Sequence, residues 1–255
     1  MHAGETKIQA IIDSTRQYVI PLFQRPYSWE SPQWTTLWQD LAELCEEEHS
    51  RNHFIGSIVT MPSKSVPEGV TKYILIDGQQ RLTTLLILLA VIRDKARKQP
   101  GNLADKIDDL LLKNRHHEGT EIYKLLPTQV DRPAFCAIMD GDAAPKGTPL
   151  TTAYEFFARR LRLSPDIGLE KLYNVIRNHL VLVSIVLDKD DNPYLIFESL
   201  NAKGRPLGLP PFYVPGAVRV GSIATDVSSA RRSAAESGRG HISPNSAGVR
   251  YPKEL

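Results

Sequence analysis

Tyr73-Ile74-Leu75-Ile76-Asp77-Gly78-Gln79-Gln80-Arg81-Leu82-Thr83-Thr84 places a polar loop with an acid, a glycine and an arginine between a short apolar strand and a long helix. Residues 73–76 are β-rich, Gly78 allows a sharp turn, and the apolar run over 82–92 predicts a buried helix. Such a junction favours an anion. The first N–H groups of the helix lack intrahelical partners, and its positive dipole end adds about 0.3–1 kcal/mol at an exposed site. Arg81 supplies a fork-shaped cation suited to phosphate.

Working outward, residues 54–61 form a second strand, joined to 73–76 through a Pro/Gly loop as a hairpin. Upstream, Ser31-Pro32 pairs an N-cap with a first-turn proline and opens a helix to about residue 48, with Trp34, Leu37, Trp38, Leu41 and Leu44 at helical spacing. Residues 17–23 are extended and 7–14 form a short helix or strand. The helix begun near Gln80 ends by Lys98, before Gln-Pro-Gly. Downstream, 105–112, 132–139, 151–161 and 168–179 are candidate helices. The β-branched run 180–187 is a buried strand, and Asn192-Pro193 opens a short helix to about 200. The expected class is α/β (α+β), a small mixed-sheet core with a large helical portion.

A 255-residue chain that is 42% hydrophobic has enough apolar content for one large core, and a formal charge of +2 marks no particular partner. Cys45 and Cys136 stand far apart without metal-type spacing, so neither a disulfide framework nor a zinc site is indicated. The N-terminal residues lack the apolar core of a signal peptide, and residues 82–92 are too few to span a bilayer. A cytoplasmic protein without a membrane partner is the expectation. Half of residues 208–255 are Gly, Pro, Ser or Ala, a composition that predicts a disordered or aberrant tail.

Three separated segments carry a family resemblance: Ile20-Pro21-Leu22-Phe23-Gln24-Arg25-Pro26-Tyr27-Ser28-Trp29, then Asp77-Gly78-Gln79-Gln80-Arg81-Leu82-Thr83-Thr84, then Phe197-Glu198-Ser199-Leu200-Asn201-Ala202-Lys203-Gly204-Arg205-Pro206-Leu207. In this order they resemble the N-terminal domain of GmrSD-type, modification-dependent restriction endonucleases, over roughly residues 5–207. The resemblance implies a ParB/sulfiredoxin-like fold, with a core at about 5–100 and 180–207 and a helical insertion at about 101–179. It also implies NTP binding and hydrolysis at the Asp77–Arg81 motif, with a divalent cation such as Mg2+, driving restriction of DNA that bears modified bases. Nuclease activity in such systems belongs to a separate C-terminal HNH-type domain or subunit. After Leu207 the chain departs from the family pattern, which implies a truncated chain without that nuclease. A separate nuclease subunit or a homo-oligomer would complete the system.

The residues divide into roles accordingly. Asp77 is the metal or water-orienting carboxylate, or simply the cap of the following helix; Gln80 and Arg81 join it as catalytic candidates. Gln24, Arg25, Gly78, Gln79 and Thr83 line the nucleotide, and the resemblance adds Asn201, Lys203, Gly204 and Arg205 as a third wall, with Glu198 a turn earlier as a further carboxylate or an ion-pair partner. Thr84 lines the site or bonds a helix carbonyl. Trp34 and Trp38 belong to the core, whereas Tyr27 and Trp29 are candidates for stacking on a base. His49 and His53 share i, i+4 spacing, but the turn between them removes the helical geometry a metal pair needs. Two other readings stand beside the hydrolase: a nucleotide-sensing DNA-binding module without turnover, and a non-functional fragment.

Overall fold

The computed structural model describes residues 2–46, 51–63, 69–188, 190–192 and 195–196. Six strands, β1 (His2–Lys7), β2 (Arg16–Val19), β3 (His53–Pro62), β4 (Thr71–Asp77), β5 (Leu125–Leu126) and β6 (Leu180–Val186), form one mixed sheet in the order β1-β6-β3-β4-β2-β5. β3 and β4 are the expected antiparallel hairpin, with Val59 opposite Asp77 and Pro62 opposite Tyr73. β6 lies parallel to β3 and antiparallel to β1, while β2 lies parallel to both β4 and β5. β4, β2 and β5 therefore point the same way, and the segments leaving their carboxyl ends emerge side by side.

Seven α-helices occur among the described residues: α1 (Ile8–Ile12), α2 (Ser31–Glu46), α3 (Gln79–Ala96), α4 (Leu103–Ile107), α5 (Arg132–Asp140), α6 (Pro149–Leu163) and α7 (Leu169–Asn178). The fold is the mixed α/β class expected. α3 is its central helix: every residue from Leu82 to Arg93 is buried, as expected for a helix apolar on all sides. Burying each large aliphatic chain there contributes about 1.5–3 kcal/mol. α2 is instead one-sided. Trp34, Leu37, Trp38, Leu41 and Leu44 face the core, and the Trp34 ring lies 5.6 Å from that of Phe156 on α6.

Three local features differ from the sequence reading. Residues 2–7 form a strand on the sheet edge, paired along their length with β6. β5, only two residues long, sits within the predicted helical stretch 101–179 and extends the sheet beside β2. The single helix expected at 105–112 is α4 followed by one π-helical stretch, Asp108–Leu112. In that wider turn Asp108 is buried and pairs with Arg93 at 2.9 Å and Arg97 at 2.7 Å, while Leu111 and Leu112 enter the core. Arg93, with no exposed surface, also donates to the Ile138 carbonyl at 2.8 Å and to that of Met139, closing the carboxyl end of α5. The helix expected after Asn192, the third motif and residues 208–255 lie outside the described residues, apart from 195–196.

Candidate functional site at the strand ends

The first two motifs, fifty residues apart in the chain, meet at the carboxyl ends of β2 and β4. Residues 20–30 leave β2 and fold across the start of α3. Open α/β sheets place ligands outside the carboxyl ends of their strands, and both segments lie there.

Amides fasten one segment to the other. Gln24 donates through Nε2 to the carbonyls of Leu75 at 2.6 Å and Ile76 at 2.8 Å, gripping the last residues of β4. In return, Gln79 Nε2 donates to the Arg25 carbonyl at 3.1 Å and Gln80 Nε2 to that of Pro26 at 3.2 Å, while Gln80 Oε1 accepts from the Ser28 N–H at 2.8 Å. Gln80 thus uses both ends of its amide on backbone. All three glutamines are buried, and the Oε1 atoms of Gln24 and Gln79 are shielded from water without a partner.

Below this clasp lies a relay of hydroxyls. Thr84 Oγ1 donates to the Gln80 carbonyl at 2.7 Å, which leaves it to accept from the Tyr27 hydroxyl at 2.7 Å; that hydroxyl in turn accepts from Trp34 Nε1 at 2.8 Å. Burial raises the Tyr27 hydroxyl pKa to about 12. Tyr27 is therefore a core residue and not a stacking platform, and Thr84 serves its helix. Trp29 is partly buried against the core. From the far side the buried Asp131 holds the same segment: its Oδ2 accepts from the Tyr27 N–H and from Thr128 Oγ1, both at 2.8 Å. Sequence reasoning missed Thr128 and Asp131, whose link to Tyr27 spans a hundred residues.

The start of α3 carries no side-chain cap. Its N-cap is Gly78, left-handed at φ 92°, so Asp77 is the last residue of β4 and does not cap the helix. A Cβ at position 78 would come within 3.1 Å of the Ser57 carbonyl, so both the turn and the packing call for glycine. The first intrahelical bond runs from Leu82 N–H to the Gly78 carbonyl at 3.0 Å, no side chain caps the turn, and no acid lies within it. The N–H groups of Gln79, Gln80 and Arg81 thus have no intrahelical acceptor, and residues 78–80 are buried beneath the loop.

Arg81 lies along β3. One guanidinium N–H donates to the Ser57 carbonyl, and the group rests over Gly56, where a Cβ would stand 2.9 Å from its Cζ. Gly56 is left-handed at φ 106°, another residue the sequence reading passed over; a glycine inside a strand pattern is the available signal of close approach. Burial lowers the Arg81 pKa, and the charge of Asp77 opposes that shift. Arg81 is a partly desolvated cation facing a carboxylate that makes no ion pair with it. Asp77 itself is half-buried, paired through its backbone opposite Val59, and its carboxylate has no hydrogen-bond partner among the described residues.

The other expected site residues fall as follows. Arg25 is exposed, and Thr83, 2% exposed, faces the core. Asn201, Lys203, Gly204, Arg205 and Glu198 lie outside the described residues, as does His49. His53 stands 3.3 Å from Asp40. No cluster of three or more potential metal ligands occurs among the described residues. A Mg2+ ion carried on phosphates needs only one or two protein carboxylates, so Asp77 suits that kind of site.

Residues 8–209 match the model of the GmrSD restriction endonuclease N-terminal domain. The chain belongs to this family. The match covers α1 through β6 and takes in all three motifs, so GmrSD membership points to a component of a restriction system and to interaction with DNA. A search of curated proteins gives no significant match. No helix among the described residues is long and apolar enough to cross a membrane.

Proposed function

We propose that this GmrSD-family domain binds and hydrolyses a nucleoside triphosphate as the energy-coupling module of a modification-dependent DNA restriction system in the cytoplasm. The observation that carries the reading is the pairing of an uncapped, acid-free start of α3 with the desolvated Arg81 in its first turn. Both favour an exogenous anion, and they lie on one turn of one helix.

In this reading the terminal phosphates rest on the N–H groups of Gln79, Gln80 and Arg81. The remaining N–H groups of the Arg81 guanidinium offset the charge that builds on the γ-phosphoryl oxygens. Asp77 would be the protein carboxylate that holds a Mg2+ ion bound with the phosphates, and that ion would supply neutralisation of phosphate charge. Water attacks the γ-phosphorus and passes a proton to a phosphate oxygen, the bond to the β–γ bridging oxygen breaks, and inorganic phosphate and the diphosphate leave. Gln80, with both amide ends on backbone, holds the Pro26–Ser28 segment in place and takes no direct part. Arg25 extends the cationic rim from the loop; Asn201, Lys203, Gly204 and Arg205, outside the described residues, are assigned to the nucleotide by the family resemblance. DNA carrying modified bases is the regulatory partner, and cleavage belongs to a separate nuclease domain or subunit. The likeness to ParB-type nucleotide switches belongs to the same proposal.

The test is phosphate release with Mg2+ and each of the four ribonucleoside triphosphates, comparing wild type with Asp77→Asn. The substitution is nearly isosteric and removes no side-chain hydrogen bond, though it takes away the charge that offsets the desolvation of Arg81. Release should fall by about 100-fold or more while unfolding stays cooperative. Equal release from the two proteins removes Asp77 from the chemistry. Tight triphosphate binding without release by wild type would instead favour a nucleotide sensor.

A further inference from the structure

The loops that follow β2 and β5 each close in a tight turn, and both turns carry apolar side chains outward. In the first, the Gln24 N–H donates to the Pro21 carbonyl at 3.1 Å, leaving Leu22 and Phe23 at the tip, 81% and 40% exposed. In the second, the Asp131 N–H donates to the Thr128 carbonyl at 3.1 Å, and Val130 at the tip is 78% exposed. Turn tips ordinarily carry Gly, Asn, Asp or Ser, which suit the backbone and meet water. Three of the five large apolar side chains that stand exposed among the described residues sit on these two tips, a concentration that singly scattered surface residues do not produce.

Neither turn is loose. Gln24 anchors the first through its two bonds to β4, and the Ile20 N–H donates to the Leu126 carbonyl at 3.0 Å where the two loops begin. Further out Asp131 ties them again, accepting from the Tyr27 N–H of one loop and from Thr128 Oγ1 of the other. The tips therefore share one rigid frame at the carboxyl end of the sheet. Its charge is positive: residues 20–29 and 127–133 carry two arginines, Arg25 and Arg132, and a single acid, Asp131, which is buried. Arg25 is exposed beside the first tip.

A protein partner does not match this surface, because three side chains fall far short of the roughly 800 Å2 per partner that a stable protein interface buries. Narrow apolar tips beside an exposed guanidinium fit duplex DNA, in which apolar side chains wedge between stacked base pairs while cations take the flanking phosphates. We infer that the paired turns are a DNA wedge: Leu22 and Phe23, with Val130 beside them, part a base step from the minor groove, and Arg25 holds the adjacent phosphate. The inference rests on the DNA partner of the reading above and is independent of the triphosphate. It places the duplex on the same loop that Gln24, Gln79 and Gln80 fasten to β4 and α3.

Fluorescence of short duplexes carrying 2-aminopurine within a TA step, whose stacking is easily broken, tests the wedge on the full chain without nucleotide. The duplexes are prepared with cytosine and with 5-hydroxymethylcytosine. Wild type should bind at least one form and brighten the 2-aminopurine as its stacking is lost. Leu22→Ser and Val130→Ser, at exposed positions where folding is not at stake, should each lower affinity by about fivefold or more and remove most of the brightening. Leu163→Ser, at a leucine 67% exposed at the end of α6, is the matched control and should change neither. Arg25→Gln should flatten the slope of log affinity against log salt by about 0.9 while keeping the brightening. Binding without brightening, or equal affinity of Leu22→Ser and wild type, overturns the wedge and leaves the DNA reading standing. Failure of wild type to bind either duplex overturns both. Self-association of wild type in sedimentation that Leu22→Ser abolishes also overturns the wedge, assigning the tips to a second copy of the chain.

Discussion

Gly56→Ala isolates the seat of Arg81. Gly56 holds φ at 106°, where an L side chain is strained, and its new Cβ would lie 2.9 Å from Arg81 Cζ and 3.1 Å from Nε and Nη2. Backbone strain of this kind costs about 1–3 kcal/mol. The guanidinium must also move, and its charge-assisted bond to the Ser57 carbonyl is worth about 1.5–3 kcal/mol. Gly101→Ala is the matched control, because φ there is 125° and the added Cβ meets nothing within 4 Å. It carries the strain without the displacement. Urea unfolding of the two variants should therefore differ by about 1.5–3 kcal/mol, with Gly56→Ala the less stable. Phosphate release should follow the same order, falling by about tenfold or more in Gly56→Ala and staying near wild type in Gly101→Ala. Equal destabilisation of the two variants would refute the contact between Gly56 and Arg81. Unequal stability with equal phosphate release would refute the role of Arg81 at the site.

Further substitutions probe the clasp and its supports. Gln24→Leu removes the donor from two carbonyls at the end of β4 and should cost about 2–4 kcal/mol in urea unfolding, against near-neutrality if the loop were held otherwise. Tyr27→Phe leaves the buried Trp34 N–H without its acceptor, for a loss of about 1–3 kcal/mol at neutral pH. The same variant has a pH signature. Burial raises the Tyr27 hydroxyl from 10.0 to about 12, so its contribution is complete below pH 10 and is lost as pH rises through 10 to 12. Wild type should lose up to about 3 kcal/mol relative to Tyr27→Phe across that window, measured as the difference between the two proteins; parallel curves would contradict the burial of the hydroxyl. Arg93→Met leaves the buried Asp108 with Arg97 alone and the Met139 carbonyl without its donor, and should cost about 1–3 kcal/mol, read from the shift in unfolding midpoint.

Elements with a period of their own were legible in the sequence. α2 and α3 follow from apolar spacing and from proline and glycine punctuation, and the β3–β4 hairpin from two β-rich runs flanking a loop. β1 and β5 were not, for different reasons. His-Ala-Gly-Glu-Thr-Lys has little strand propensity, and its backbone is fixed by pairing with the distant β6, from His2 opposite Val186 to Lys7 opposite Val181. Leu125-Leu126 is too short for any period to register, and only the neighbouring β2 makes it a strand. At the site, the motifs were readable as motifs but their wiring was not. An amide that grips a carbonyl fifty residues away has the same sequence signature as a solvated glutamine. Gln80, read as a catalytic candidate, has a fully occupied amide, whereas Gln79 and Gln24 keep the free acceptors.

The choice of glutamine over glutamate follows from electrostatics. A helix start ordinarily attracts Asp, Glu, Ser or Thr, because the first N–H groups and the dipole stabilise an acceptor by about 0.3–1 kcal/mol at the surface. Here the first turn of α3 is Gln79-Gln80-Arg81 after a glycine cap, with no acid. A glutamate at position 79 would accept from the free N–H groups of its own helix and face Arg81, supplying internally the anion the turn otherwise lacks. It would also present a carboxylate to the Arg25 carbonyl, where the present amide donates. A glutamine keeps the bond to the loop and adds no charge. Neutral amides thus solve two requirements together: they hold residues 24–28 against the strand ends, and they add no charge to the first turn of α3, where Asp77 alone faces Arg81.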